Sequence, residues 1–173
     1  MEYSVIPQPR NISLGNGMLR LGEISGDFFQ SQATFGQYLA AMHNIQPDAD
    51  GLPVRVRASE QLKAESYEIS CSEKDIIISA ADLKGAHHAF ATLLQLSRAS
   101  DGHVYIPSAE IKDAPDCPYR GLMVDVARCE HDIKFLYDYI DVCYYYKLAY
   151  LQIHFTEDKA FTLPIGRYEK LND

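Results

Sequence analysis

Gly121-Leu122-Met123-Val124-Asp125-Val126-Ala127 is an almost unbroken apolar run, the pattern of a strand buried on both faces of a parallel sheet. Asp132 stands where a helix N-cap belongs, and Ile133, Leu136, Tyr139, Ile140, Cys143 and Tyr146 then trace one helical stripe. From Leu148 to Phe155 the chain is apolar and β-favouring again. Strand, helix and strand in such short order make a βαβ unit, which requires the two strands to run parallel.

Upstream the pattern is of another kind. Ile6-Pro7-Gln8-Pro9-Arg10 is a proline-pinned extended lead-in, and Asn16-Gly17 between Leu14 and Leu21 predicts a strand-turn-strand hairpin. Phe28, Gln32, Phe35, Leu39 and Met42 share a helical face. Val54 to Arg57 alternates with period two, and Tyr67–Cys71 and Ile76–Ala80, separated by Ser72-Glu73-Lys74-Asp75, predict an antiparallel hairpin. Asp82 caps a helix with its stripe at Leu83, Ala86, Phe90, Leu93, Leu94 and Ser97, and a short strand follows at Val104-Tyr105-Ile106. Strands backed by helices predict an α+β domain. Lys112 to Pro118, with two prolines and a charge cluster, reads as a linker. The expected division is therefore residues 1–117 and residues 118–173.

The 173 residues are 47% hydrophobic and 23% charged, enough to bury a core. A net charge of -8 disfavours nucleic acid and anionic membrane surfaces as partners. The start, Met1 to Pro7, shows neither a basic stretch nor an apolar core of a leader, so a cytoplasmic location is expected. Cys71, Cys117, Cys129 and Cys143 show no C-x-x-C pair, and reduced thiols are expected. The adjacent His87 and His88 point apart on a helix, so no metal site is expected.

Two strand ends carry the polar residues with chemical potential. The first closes on Asp125-Val126-Ala127-Arg128 and the second on His154-Phe155-Thr156-Glu157-Asp158. In βα architectures that C-terminal face binds substrates. An arginine there can offer a rigid fork of donors to sugar hydroxyls or to a carboxylate, or it can simply pair with Asp125 or Glu157 and tie the strands together. A histidine held by a carboxylate can orient a catalytic acid. Glu157 and Asp158 are neighbours, and if extended they point to opposite faces, which lets one of them enter a pocket. Tyr144-Tyr145-Tyr146 reads as helix packing with exposed hydroxyls.

Arg120 to Arg128, the helix ending Tyr145-Tyr146-Lys147-Leu148, then His154-Phe155-Thr156-Glu157-Asp158 and Tyr168-Glu169-Lys170-Leu171 together resemble the opening of the catalytic barrel in glycoside hydrolase family 20, the β-N-acetylhexosaminidases. Ile6-Pro7-Gln8-Pro9, Glu65-Ser66-Tyr67, Gly85, Thr92 to Leu96 and Ile111 to Pro115 are similar to the zincin-like α+β domain that precedes it. The resemblance implies an exo-acting hydrolase of terminal non-reducing N-acetylhexosamine, in which the substrate's acetamido oxygen attacks C1, an exception to the two-carboxylate retaining scheme. It implies an Asp-Glu pair on a later strand, with the Asp placing the acetamido group and the Glu acting as general acid then base. It assigns sugar hydroxyls to Arg128, and places His154, Glu157 and Asp158 behind the sugar-contacting groups in support of the catalytic network. No cofactor and no metal are implied, and the partner is an amino-sugar glycan.

Departures are visible as well. Ala149 stands where the family commonly has Asn, Gln152 where it has His, Cys129-Glu130 where His-Phe follows the arginine, Ser66 where Gly is usual and Glu157 where Asp is more frequent. A (β/α)₈ barrel takes roughly 250 residues, so residues 118–173 amount to about two of its eight units, and the chain carries no tryptophan. The expectation is a truncated TIM barrel after a zincin-like domain, inactive as it stands and prone to self-association. The alternatives are a non-catalytic binding or scaffold module with a barrel remnant, and a relative that cleaves another amino sugar.

Overall fold

The computed structural model describes residues 3–168 and 170, and the chain divides into two compact units, Met1–Asp116 and Cys117–Asp173. The first unit contains β1 (Asn11–Gly26), α1 (Phe29–His43), β2 (Leu52–Ala58), β3 (Tyr67–Cys71), β4 (Ile76–Ala80), α2 (Leu83–Leu96), β5 (Arg98–Ser100) and β6 (His103–Asp113). The strands form one six-stranded sheet in the order β1-β2-β4-β3-β6-β5, with β1 also pairing antiparallel to β6. The β3–β4 hairpin forms in the expected register, Tyr67 opposite Ala80 and Cys71 opposite Ile76.

Alternation along the strands decides which side is covered. Val54, Val56, Ile69, Ile76, Ile78, Ile106 and Ile111 are buried, together with Phe35 and Leu39 of α1 and Phe90, Leu93 and Leu94 of α2. Phe35 stacks on Phe90 with ring centroids 4.6 Å apart, so the two helices meet at an aromatic pair within the core. Asp82 caps α2 by accepting from the Gly85 amide at 2.8 Å, which satisfies one of the orphan donors of the first turn. The α1 stripe is buried at Gln32, Phe35 and Leu39 but not at Met42, and Phe28 takes a left-handed N-cap position ahead of it.

Three expectations for this unit are corrected. Asn16-Gly17 is not a hairpin turn: β1 runs through it, pairing with β6 on both sides of a register shift between Leu14 and Met18. Three residues of β1 there, Gly15 to Gly17, stand against the single Ser108 of β6, a bulge that glycines permit because a Cβ on Gly15 would lie 2.2 Å from Ser108 Oγ. The strand at Val104–Ile106 extends to Asp113, and the three-residue β5 beside it has no sequence signal of its own. Lys112 and Asp113 thus belong to the sheet, where Lys112 pairs with Glu68 at 3.0 Å.

The second unit holds β7 (Gly121–Asp125), α3 (Ile133–Tyr145) and β8 (Tyr150–His154), with β7 and β8 parallel from Gly121 opposite Tyr150 to Asp125 opposite His154. Asp132 caps α3 through the Lys134 amide at 2.9 Å. Val124, Ala127 and Cys143 are the buried apolar residues of this unit among those described. Burial of β7 on both faces is not found: Met123 is 57% exposed, because among the described residues β8 is the one strand that pairs with β7 and α3 packs mainly against β8. Ile133, Ile140 and Tyr146 of the expected stripe are exposed too. The hydroxyl of Tyr144 is buried rather than solvent-facing. Of the Tyr168–Leu171 stretch, Glu169 and Leu171 lie outside the described residues.

Candidate functional site

The C-terminal ends of β7 and β8 face the same way because the strands are parallel and in register, and Val126 N donates to His154 O at 3.1 Å just past the paired segment. Beyond this point the chain turns around Asp125. One oxygen of its carboxylate accepts from the amides of Ala127 and Arg128, both at 3.0 Å. Asp and Asn favour such local turns because their side-chain oxygen reaches the backbone two residues on. The second oxygen accepts from Arg128 Nη1 at 3.0 Å.

Arg128 then reaches across to the loop after β8, where its Nε donates to Glu157 Oε2 at 2.7 Å. The Glu157 side chain is only 8% exposed whereas that of Arg128 is 62% exposed. The guanidinium is therefore anchored from beneath and open from above. The Arg128 bond is the main cause holding the Glu157 carboxyl below its usual range, against the opposing effect of burial. The Asp125 carboxyl is held low first by the amide of Arg128, and Arg128 in turn is raised, first through Glu157. All three stay charged at neutral pH.

His154 ends β8, and its buried Nε2 finds no hydrogen-bond partner among the described residues. Asp158 is exposed. Glu157 and Asp158 do not alternate on a strand as expected: they follow β8 in a tight loop in which Glu157 N donates to Ala160 O at 2.9 Å and Thr156 bridges Phe161. The outcome is nevertheless one carboxylate turned in and one turned out. Of the expected residues, the structure joins Arg128 and Glu157 directly, puts His154 on the same strand end and leaves Asp158 exposed beside Glu157, whose carboxyl it also helps to hold low. The contribution of Asp125 as the pivot of both the turn and the arginine was read from sequence only as an ion pair. The Asp-x-x-Arg spacing at a strand end is the signal for it. No group of three or more metal-ligating side chains occurs among the described residues.

Two parallel strands joined by a helix thus carry an anchored arginine at their C-terminal ends. Residues 117–173 match glycosyl hydrolase family 20, catalytic domain, and residues 2–114 match glycosyl hydrolase family 20, domain 2. The chain belongs to glycosyl hydrolase family 20. It is 30% identical to the beta-hexosaminidase of Vibrio furnissii over 177 residues, spanning 98% of this chain and 29% of that protein. Over 111 residues it is 36% identical to the beta-N-acetylhexosaminidase of Cellulomonas fimi, covering 62% of this chain and 22% of the relative. Among solved structures, the exo beta-N-acetylglucosaminidase of Vibrio harveyi in complex with N-acetylglucosamine superimposes with a TM-score of 0.89 at 26% identity, over 96% of this chain and 28% of that one. The chain thus spans less than a third of the length of these relatives.

Proposed function

We propose that this chain is part of an enzyme that removes terminal non-reducing N-acetylhexosamine from β-glycosides by substrate-assisted, retaining hydrolysis. Residues 1–117 are its zincin-like domain and residues 118–173 the opening units of its (β/α)₈ barrel. The observation that carries this reading is the Arg128 guanidinium, fixed by Asp125 and Glu157 at the C-terminal end of β7 with most of its surface free. Held in this way, it offers donors to the hydroxyls of a terminal sugar without having to order itself on binding. Glu157 sets its direction, and His154 borders the same face. The exposed face of Met123 and the bare side of α3 fit strands and helices that continue a barrel.

The family's adjacent Asp-Glu pair does not occur in these 173 residues, so the general acid is not among them and the chain by itself is inactive. The test compares the 173-residue chain with the polypeptide encoded by the continuation of its reading frame, on an aryl N-acetylglucosaminide. Thiazoline-sensitive turnover by the extended protein alone is the expected result. Turnover by the 173 residues themselves overturns the assignment of the acid. A stop codon after Asp173, or an inert extended protein that folds, replaces the reading by a binding or scaffold module.

A further inference from the structure

Tyr67, on β3, buries its hydroxyl between Thr92 Oγ1 at 2.6 Å and Asp113 Oδ2 at 2.8 Å. Asp113 is the last residue of β6, and its other oxygen accepts from the amides of Arg10 at 3.2 Å and Ala114 at 2.9 Å. One carboxylate thus joins the sheet, the N-terminal lead-in and the residue that leaves the first unit. The Arg10 side chain continues along the departing chain. Its Nε donates to Ala114 O at 2.9 Å, and its Nη2 donates to Pro115 O at 3.2 Å and to the carboxylate of Asp116. Three successive residues are read by one guanidinium, a use of the rigid fork that a lysine ammonium cannot reproduce.

The lead-in is itself held at its far end. The buried side chain of Gln95 on α2 accepts from Ile6 N at 2.7 Å and donates to Ile6 O at 2.9 Å. Val5, just before the first grip, and Pro9, between the two, are buried, while Pro7 and Pro9 each fix φ and so reduce the freedom the strap loses on docking. On the second unit's side, Arg120 donates to Cys117 O at 2.7 Å and to Lys147 O at 3.2 Å. Every residue from Ala114 to Cys117 is therefore contacted by an arginine.

We propose that Ile6–Arg10 is a latch: anchored on α2 through Gln95, it fixes the path of the connector at 114–116 through Arg10, with Asp113 as the shared hub, and loosening the N-terminal segment frees the connector. This inference does not depend on the proposed hydrolase activity. A single exposed ion pair is weak, so the latch requires the whole set of backbone contacts and has to show as local protection.

Hydrogen exchange on the 173-residue chain tests it. In Arg10→Ala, the amides of residue 10 and Ala114, both donated to Asp113, are expected to exchange on the order of tenfold faster while those of β3, β4 and α2 are unchanged. Arg10→Lys restores the charge but not the fork and is expected to recover less than half of the protection. Gln95→Met, which keeps volume but releases both backbone groups of Ile6, is expected to speed the same two amides relative to the core. Unaltered connector rates in Arg10→Ala, full recovery in Arg10→Lys, an unaltered connector in Gln95→Met, or an acceleration shared equally by the whole first unit would each overturn the latch.

Discussion

Arg128 and Glu157, 29 residues apart in sequence, meet through a 2.7 Å Nε to Oε2 bond that ties the loop after β7 to the loop after β8. The pairing is asymmetric, with an inward carboxylate and an outward guanidinium, and this asymmetry makes the pair testable as more than a strand tie.

In the proposed extended hydrolase, Arg128→Ala is expected to lower kcat/KM by the equivalent of about 1.5–3 kcal/mol, the range for hydrogen bonds to a charged group. Glu157→Gln keeps an acceptor for the guanidinium but removes the opposing charge, and a smaller loss is expected there. Steady-state kinetics on both variants, with folding checked by circular dichroism, separate the roles. Arg128→Ala with undiminished kcat/KM would reduce the arginine to a tie between loops.

The same pair sets an acid limit on the second unit. Glu157 and Asp125 titrate below their ordinary values of 4.5 and 3.8 in the folded chain. A depressed carboxyl contributes stability that is complete above its unfolded pKa and is lost as pH falls through its folded one. The second unit is therefore expected to loosen below about pH 4, and Glu157→Gln is expected to flatten that dependence. Hydrogen exchange at β7 and β8, measured between pH 3 and 6 and corrected for intrinsic rates, reads the effect. A wild-type profile without slope in that window would rule out the linkage.

For the first unit, Tyr67→Phe removes a buried hydroxyl and leaves the Asp113 carboxylate short of a donor. The expected cost is about 1–3 kcal/mol. Leu93→Ala, at a fully buried position of α2, is expected to cost about 2–5 kcal/mol. Urea midpoints at a constant m-value measure both, and they rank the buried polar network against simple packing.

How much of this was legible in the sequence follows from which physics acts locally. Asp82 and Asp132 announced their helices because a cap is written within three residues of the turn it satisfies. Tyr67–Cys71 and Ile76–Ala80 paired as expected because four turn residues join them. Asn16-Gly17 misled because the residues that favour a hairpin also permit a bulge, and the choice was made by β6, almost a hundred residues later in the chain. The reach of β6 was hidden by Pro107 and by charges on its solvent face, which imitate a linker. At the site, Arg128, His154 and Glu157 were legible as strand-end polar residues. That Glu157 turns inward and Asp158 outward depends on a loop closing on Ala160, which period-two reasoning does not describe.

The last prediction concerns the bare apolar surface of the second unit. Ile133 is 62% and Ile140 49% exposed on α3, Tyr137 between them is exposed, and β7 and β8 have no strand neighbours among the described residues other than each other. Open edges and contiguous apolar faces recruit partners, and in a solution of this chain alone the available partner is a second copy. The 19.5 kDa chain is therefore expected to scatter as a larger species whose mass rises with concentration. Charge on the stripe, as Ile133→Lys with Ile140→Lys, is expected to return it to the monomer while the exchange protection of the first unit stays constant. Because the second unit has few buried side chains, its amides are expected to exchange faster than those of β3, β4 and α2 in that monomer. A concentration-independent monomer for the unmodified chain, protected as strongly across β7, α3 and β8 as across the first unit, would show that the βαβ unit is stable without a partner on that face.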